Sequence, residues 1–221
     1  MGVNKIPSAH RDYLQAIFAL EEGGIPAIQA RIGDWLGVSR ASVSEMVRKL
    51  QEEGMIAETT GAVGLTEAGR VLAESVVRRH RLAERFLSDL LRLPWVTVHA
   101  EAAAWEHVIS HDVEVALREV MGDPKTCPHG NPIPGMGYVA PEMTSISEMQ
   151  IGQSGTVERI SQELEGDLEM MAFLDESGIR PGLVIEVVGR TPHDVMTLRP
   201  VGLDPIGLGP FASSRIMVVP G

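Results

Sequence analysis

Apolar residues recur at helical spacing through the first part of the chain, from Arg11 to about Leu91. In the stretch ARIGDWLGVSRASVSEMVRKL, one such stripe stops at Gly37. A second begins after Ser39, a residue type that favours helix N-caps. A helix, a tight glycine turn and a second helix in this order predict a helix-turn-helix.

Two short extended runs follow on either side of Thr60-Gly61, and this pattern predicts a β-hairpin. Thr66 then stands where it can cap a long helix. A helix-turn-helix followed by a hairpin is typical of a winged-helix DNA-binding domain. The alternative is a three-helix domain whose hairpin has no role in binding, but the order of turn, cap and wing favours DNA binding.

Helical spacing continues through the middle of the chain, where we predict a helix from Val98 to Ser110 and a further helix ending near Met121-Gly122. Helices of this kind often form dimer surfaces. Residues 123–144 contain five prolines and three glycines, which indicates a linker or an ordered irregular loop. The short β-rich runs beyond it, interrupted by one helical stretch, predict a small SH3-like β-barrel over residues 145–221.

The predicted fold class is therefore mainly α with a small β domain, and three domains are expected. Residues 1–75 form the winged helix-turn-helix, residues 76–140 a helical domain that includes the proline-rich loop, and residues 145–221 the SH3-like domain. The net charge of −11 argues against broad, non-specific binding of polyanions, although a local basic patch remains compatible with it. A single cysteine, no apolar run of membrane-spanning length and no signal peptide lead us to expect a cytoplasmic protein without membrane contact.

The second helix of the predicted motif begins with the small polar and basic residues that a recognition helix needs. Its hydroxyl groups can bond bases or phosphates, Arg40 can reach guanine or a phosphate, and Ala41 can contact a thymine methyl group. The alternative is a solvated polar face, but serine is a mediocre helix former and SRASVS is rich in it. The candidate DNA-binding residues are Arg31, Ser39, Arg40, Ala41, Ser42, Ser44, Glu45, Arg48 and Lys49.

Histidine and carboxylate residues also occur at spacings that suit a divalent first-row metal ion. His80 and Glu84 are four residues apart on the predicted long helix and therefore face the same side, with His99 after the next turn. A surface salt bridge is the alternative for this pair taken alone. Glu106 and His107 form a second candidate group, with Asp12 on the first helix as a possible partner.

The proline-rich loop supplies a third candidate pair, Cys127 and His129. They lie two positions apart, and the proline between them stiffens the loop. A Cys-x-His pair can bind zinc or a softer metal, but two ligands do not make a site. The alternative is a buried free thiol beside a loop histidine. A metallohydrolase is disfavoured because the chain has no HExxH, Gly-x-Ser-x-Gly or P-loop motif. We therefore do not expect an enzyme.

Taken together, RRHRLAERFL, VHAEAAAWEHVIS and PHGNPIPG, behind the helix-turn-helix stretch, resemble the metal-dependent repressors. This family includes the diphtheria toxin repressor, the iron-dependent repressor and the manganese transport regulators. The resemblance is strong from Asp12 to about Gly135, while the C-terminal part is similar in layout. It implies a homodimer with winged-helix, dimerisation and SH3-like (FeoA-like) domains, in which metal favours binding to a palindromic double-stranded operator.

Carried over by the resemblance, the family's ancillary metal site falls on His80, Glu84 and His99. Further ligands are implied in the SH3-like domain, where the looser match points to Asp167 and Glu169, with Glu165 behind them. The activating site falls on Asp12, Glu106 and His107. Two or more metal sites per subunit are therefore expected.

Two departures from the family pattern bear on the metal. Asp12 stands where iron-type members have methionine, and Ala103 stands where relatives place a cysteine or glutamate ligand. We expect Cys127 and His129 to complete the activating site in place of Ala103. Because the carboxylate of Asp12 suits Mn(II), manganese is the predicted metal. The alternatives are an Fe(II)-responsive repressor of the same family and a metal-independent winged-helix regulator.

Overall fold

The structure, a computed structural model, describes residues 6–221, so the first five residues of the predicted 1–75 domain lie outside it. The described chain divides into two compact units. The first unit comprises the residues up to Ala83 together with Ala103–Gly122, and the second comprises Glu84–Ala102 and Asp123–Gly221. None of the helices within residues 6–221 is long and apolar enough to cross a membrane.

Six helices and one hairpin precede the proline-rich loop in the described chain. They are α1 (Ser8–Glu22), α2 (Gln29–Leu36), α3 (Arg40–Glu52), β1 (Ile56–Glu58), β2 (Val63–Leu65), α4 (Glu67–Asp89), α5 (Val98–Trp105) and α6 (His111–Met121). Because the unit boundaries fall within α4 and α5, each of these two helices contributes residues to both units.

The predicted helix-turn-helix and hairpin are both present. Gly37 ends α2 in the left-handed conformation, with φ of 65°, which a side chain would disfavour. Ser39 caps α3, since its side chain accepts a hydrogen bond from the Ser42 amide. Strands β1 and β2 pair antiparallel, and the Thr66 hydroxyl accepts from the Gly69 amide at the start of α4. These contacts confirm the winged-helix prediction.

The first unit is held together by apolar side chains of α1–α4 and the hairpin. These are Tyr13, Leu14, Ile17, Phe18, Leu20, Ala27, Ile32, Val43, Val47, Leu50, Ile56, Val63, Leu72, Ala73 and Val77. They recur at three- and four-residue intervals on each helix, so the buried face of each helix produces the helical periodicity seen in the sequence. Helix α3 buries Val43, Val47 and Leu50 and therefore exposes its opposite face.

One predicted helix is shorter than expected, because α5 ends at Trp105 rather than at Ser110. The amides of Val108 and Ile109 both donate to the Trp105 carbonyl, which closes the helix into a turn. Ser110 has an extended backbone because it caps α6, and an extended residue cannot continue the preceding helix. Glu106 and His107 consequently lie in a turn and not on a helix.

The second unit is built on a six-stranded antiparallel sheet with the strand order β3-β8-β4-β5-β6-β7. Its strands are β3 (Thr144–Ser145), β4 (Ser154–Ile160), β5 (Val184–Arg190), β6 (Met196–Pro200), β7 (Ile206–Leu208) and β8 (Ile216–Pro220). Three helices accompany them: α7 (Gln162–Glu165), α8 (Leu168–Glu176) and α9 (Pro210–Ser213). No pairing in residues 6–221 joins β7 to β3, so the sheet of this SH3-like domain is open. The predicted fold class, mainly α with a small C-terminal β domain, is confirmed.

The proline-rich loop is ordered and docks on β4. Residues Thr126 and Pro132 form a β-bridge, and the Ile160 amide donates to the His129 carbonyl over 2.9 Å. Gly130 has φ of 88°, and a Cβ added there would lie 2.0 Å from the Glu158 carbonyl oxygen. Only glycine permits this approach. The loop therefore holds the side chains that flank Gly130 at a fixed place in the second unit.

Candidate metal centre and nucleic-acid interface

Three predicted ligands meet in the first unit, and we call Asp12, Glu106 and His107 the Asp12 cluster. Asp12 lies on α1, whereas Glu106 and His107 follow α5 in the turn before α6. The His107 Nε2 atom is 3.4 Å from Asp12 Oδ1 and 3.7 Å from Glu106 Oε1. Atoms that bind one first-row ion lie about 3.0–3.5 Å apart, so small movements would allow all three to bind one cation.

The carboxylate of Glu106 is held by two neighbours. His80 Nδ1 lies 2.6 Å from Glu106 Oε2, and Gln15 Nε2 donates to the same oxygen over 3.3 Å. Glu106 is only 3% exposed, so this support fixes its orientation. The other oxygen, Oε1, is the atom that faces His107. One oxygen is thus held by neighbouring side chains while the other faces the cluster, as is common for a metal-binding carboxylate that a neighbour orients.

The electrostatics of the Asp12 cluster favour a bound cation. Partial burial raises the pKa of Asp12, and the charge of Glu106 adds to that rise, while His107 and Arg11 act in the opposite direction. The His107 Nδ1 atom is buried without a hydrogen-bond partner among residues 6–221. Two carboxylates and an imidazole, with no sulfur, form a donor set that suits Mn(II) or Fe(II). The residues present therefore fit a divalent ion.

A second group, which we call the Cys127 cluster, lies in the second unit. Its members are Glu84 on α4, His99 on α5, Cys127 and His129 in the proline-rich loop, and Glu165 on α7. Glu84, Cys127, His129 and Glu165 are each at most 2% exposed. Buried carboxylates are costly unless charge and hydrogen bonds compensate them, and a cation is one such compensation.

The imidazoles of the Cys127 cluster both approach carboxylates. His99 Nδ1 lies 3.0 Å from Glu84 Oε1 and 2.9 Å from Glu165 Oε2. His129 Nδ1 lies 3.4 Å from Glu165 Oε1, 3.8 Å from Glu84 Oε1 and 4.0 Å from Cys127 Sγ. Glu165 therefore presents one oxygen to each histidine.

Two residues outside the predicted set support this cluster. Asn131 is buried, and its Nδ2 atom donates to Glu165 Oε1 and to the Ile160 carbonyl. The Trp95 carbonyl oxygen lies 3.3 Å from His129 Nε2. The only hint of Asn131 in the sequence was its place beside CPHG, and nothing pointed to Trp95, because its contribution is a backbone carbonyl.

The exposed face of α3 carries most of the predicted DNA contacts. Ser39, Arg40, Ala41, Ser42, Ser44, Glu45, Arg48 and Lys49 are all exposed, as is Arg31 on α2. Ser39 also caps the helix, and Arg48 pairs with Glu52 over 3.0 Å. The face is thus accessible, and one of its cations is shared with a carboxylate.

Models of known protein families match both the DNA-binding part and the metal-binding part of the chain. A family model described as the N-terminal DNA binding domain of iron dependent repressors matches residues 7–60. A second, described as their metal binding and dimerisation domain, matches residues 66–135. The chain belongs to the iron-dependent repressor family. A FeoA domain model matches residues 144–220, where the SH3-like sheet lies.

Individual relatives extend over nearly the whole repressor. The iron-dependent repressor IdeR of Mycobacterium tuberculosis is 37% identical over 89% of this chain and 90% of its own length. The diphtheria toxin repressor of Corynebacterium diphtheriae is 34% identical over 82% and 84%. A solved manganese-dependent transcriptional repressor in complex with manganese is 32% identical, with a TM-score of 0.87 over 96% of this chain and all of the other.

A second solved structure, of the manganese regulator SloR, is 25% identical with a TM-score of 0.81, and it covers 96% of this chain and 98% of the other. These comparisons establish a metal-dependent, DNA-binding transcriptional repressor rather than an enzyme. Iron and manganese both occur among the names of its relatives, so they leave the choice of metal open.

The geometry of the repressor revises two ligand assignments made from the sequence. Cys127 and His129 join Glu84 and Glu165, whereas we had expected them with the Asp12 cluster. The physical reason is that the loop is hydrogen-bonded to β4, next to α7.

Glu165 is the acidic residue that reaches His99. Asp167 and Glu169 are both exposed, and the side chain of Asp167 instead accepts a hydrogen bond from the Met170 amide as the cap of α8. His80 contacts Glu106, and its predicted place in a site with Glu84 and His99 remains a prediction from their spacing on α4.

Proposed function

We propose that this chain is a Mn(II)-activated, homodimeric repressor that controls metal homeostasis genes by binding a palindromic operator. The Asp12 cluster carries the proposal. It joins α1, next to the helix-turn-helix, to the turn that leads into α6, within the segment matched by the dimerisation domain model. An ion held by Asp12, Glu106 and His107 would tie these elements together.

The proposed activation is electrostatic as well as mechanical. Asp12 and Glu106 place negative charge beside the domain that must approach DNA phosphates, and a divalent ion would offset it. The raised pKa of Asp12 is the signature of a carboxylate whose charge is poorly compensated by the protein alone. A coupling of about 1–3 kcal/mol between metal and DNA would change operator affinity about 5–150-fold.

Manganese is favoured by the donor atoms of the Asp12 cluster, which are oxygen and nitrogen only. The similarity to a manganese-dependent repressor solved with manganese supports the same choice. An Fe(II)-responsive repressor is the second candidate, since Fe(II) accepts the same donors and the 37% identical relative is named as iron-dependent. Affinity alone favours Fe(II) over Mn(II), so selectivity for manganese would depend on geometry and on metal availability.

The Cys127 cluster is the proposed second metal site of each subunit. Its ligands would be Glu84, His99, Cys127, His129 and Glu165, with His80 as a further candidate from its spacing to Glu84. On the DNA side, Arg40 and the hydroxyls of Ser42 and Ser44 are proposed to meet base edges, while Arg31 and Lys49 contact phosphates. The two α3 helices of a dimer would then enter half-sites about one helical turn apart.

The test is operator binding by the purified protein, measured anaerobically by fluorescence anisotropy with Mn(II), with Fe(II) and without metal. We expect strong binding with Mn(II) and weak binding without metal. Asp12→Ala should abolish the Mn(II) response, whereas His193→Ala, at an exposed loop histidine, should leave it intact. A clear preference for Fe(II) would replace manganese by iron, and equal binding without metal would support the metal-independent alternative.

A further inference from the structure

Arg11, which precedes Asp12 on α1, is a buried cation that the described chain pairs poorly. It is 6% exposed, and its Nε atom has no hydrogen-bond partner among residues 6–221. Within those residues its guanidinium makes one hydrogen bond, from Nη1 to the His107 carbonyl over 3.5 Å, which is long for such a bond. A guanidinium cannot lose its proton in a protein, so the buried charge has to be offset by other groups.

The groups that offset this charge belong to the Asp12 cluster. Arg11 is next to Asp12 in the chain, and it contacts the backbone of His107, the residue after Glu106. Burial raises the pKa of Asp12 most, and the positive charge of Arg11 is one of the influences that lower it. Arg11 forms no salt bridge with a carboxylate among residues 6–221, so its charge acts on the cluster through space.

One face of α1 reaches the ligand-bearing turn through protein contacts alone. Arg11 and Gln15 are four residues apart on α1, so they share that face. Arg11 donates to the His107 carbonyl, and Gln15 donates to Glu106 Oε2 over 3.3 Å. Both residues therefore help to join α1 to the turn, but only Arg11 carries a charge, and that charge has the same sign as a metal ion.

We propose that Arg11 is a built-in counter-ion of the Asp12 cluster and sets the metal concentration at which the repressor is activated. In the metal-free protein its guanidinium offsets part of the negative charge of Asp12 and Glu106. The same guanidinium repels a divalent ion that binds there, so Arg11 raises the activating concentration without being a ligand. This role rests on the proposed function, since it presupposes that the Asp12 cluster binds metal.

The size of the effect follows from Coulomb's law. A divalent ion and a unit charge about 6 Å apart repel strongly enough to change a binding constant about tenfold, even with the screening of bulk water. Removal of the Arg11 charge should therefore tighten metal binding by about that factor. The attraction between Arg11 and Asp12 acts in the metal-free protein, where it is measurable separately as a coupling between the two side chains.

The first experiment titrates Mn(II) into full-length wild-type and variant proteins, with free Mn(II) followed by electron paramagnetic resonance. Parallel titration of Asp12→Ala identifies the binding step that belongs to the Asp12 cluster. We expect Arg11→Met to tighten that step about tenfold, whereas Arg11→Lys, which keeps the charge, should change it less than about threefold. Arg199→Met, which removes an exposed cation from β6 in the second unit, should change nothing. If Arg11→Met does not fold, Arg11→Gln is the second neutral variant.

The second experiment is a double-mutant cycle on the metal-free protein, measured by urea unfolding at pH 7. Its members are the wild type, Arg11→Met, Asp12→Asn and the double variant. If Arg11 offsets the charge of Asp12, Arg11→Met should lower the free energy of unfolding more in the wild type than in the Asp12→Asn background. This measurement does not depend on bound metal.

Weaker or unchanged Mn(II) binding by Arg11→Met would overturn the proposal. Equal tightening by Arg11→Lys would also overturn it, because the effect would then come from the contact with His107 and not from charge. Additive effects of Arg11→Met and Asp12→Asn in the cycle would have the same consequence. Mn(II)-dependent operator binding by the wild type would leave the proposed function standing in each of these cases, whereas a wild type that binds no Mn(II) would refute the proposed function and the role of Arg11 together.

Discussion

The substitution Gly130→Ala tests whether close packing of the proline-rich loop on β4 builds the Cys127 cluster. Gly130 has φ of 88°, a conformation that costs an L-residue about 1–2 kcal/mol. Its new Cβ would also lie 2.0 Å from the Glu158 carbonyl oxygen, far inside contact distance, so the backbone must separate. Separation threatens the Ile160–His129 and Asn131–Ile160 hydrogen bonds, worth about 1 kcal/mol each.

The expected total is a loss of about 3–4 kcal/mol in the free energy of unfolding, measured by urea denaturation of the metal-free protein. Gly137→Ala is the matched control, because Gly137 lies in the same loop with φ of 68° but has nothing within 4 Å of an added Cβ. It should lose only the conformational cost of about 1–2 kcal/mol. Equal losses in the two variants, or unchanged metal binding at the Cys127 cluster in Gly130→Ala, would refute the idea that the close approach positions Cys127 and His129.

Three further predictions follow from charged and polar groups. Burial raises the pKa of Asp12, so the folded protein holds this proton more tightly than the unfolded chain does. The contribution of Asp12 to the free energy of unfolding is therefore present below pH 3.8 and is lost as the pH rises through the raised pKa. Asp12→Asn should therefore keep or raise the thermal midpoint of the metal-free protein at pH 7 while losing the stabilisation by Mn(II), and a large destabilisation would contradict this. Burial alone would raise the pKa of Glu114, but hydrogen bonds from Arg78 and Arg79 outweigh it and lower the pKa below 4.5. That stability is present above pH 4.5 and is lost as pH falls through the lowered pKa. Glu114→Gln should cost roughly 3 kcal/mol at pH 7 and flatten the acid dependence of urea unfolding, and an unchanged acid profile would exclude the pairing. Burial and the hydrogen bond to Glu158 raise the pKa of Tyr138 to about 12. Glu158→Gln should therefore shift the pKa of Tyr138, measured by ultraviolet titration, back towards 10. An unchanged pKa would show that the hydrogen bond is absent in solution.

Local features could be predicted because their causes are local. Gly37 and Ser39 define the turn between α2 and α3 through backbone conformation and one hydrogen bond, both of which depend on adjacent residues. The prediction that a helix continues through Glu106 and His107 was wrong for a related reason. Ser110 caps α6 with an extended backbone, and the turn that precedes it ends α5 at Trp105.

The amino-acid sequence by itself determined the winged helix, the helical middle, the β-rich end and the residue types able to bind metal. Periodicity, caps and turns act over a few residues, so they are visible without a fold. Only the tertiary structure decided which ligands meet. Cys127 and His129 join Glu84 and Glu165 because the loop pairs with β4, and Glu165 rather than Asp167 faces His99 because Asp167 caps α8. Contacts between residues tens of positions apart depend on strand pairing and close packing, which spacing along the chain does not encode.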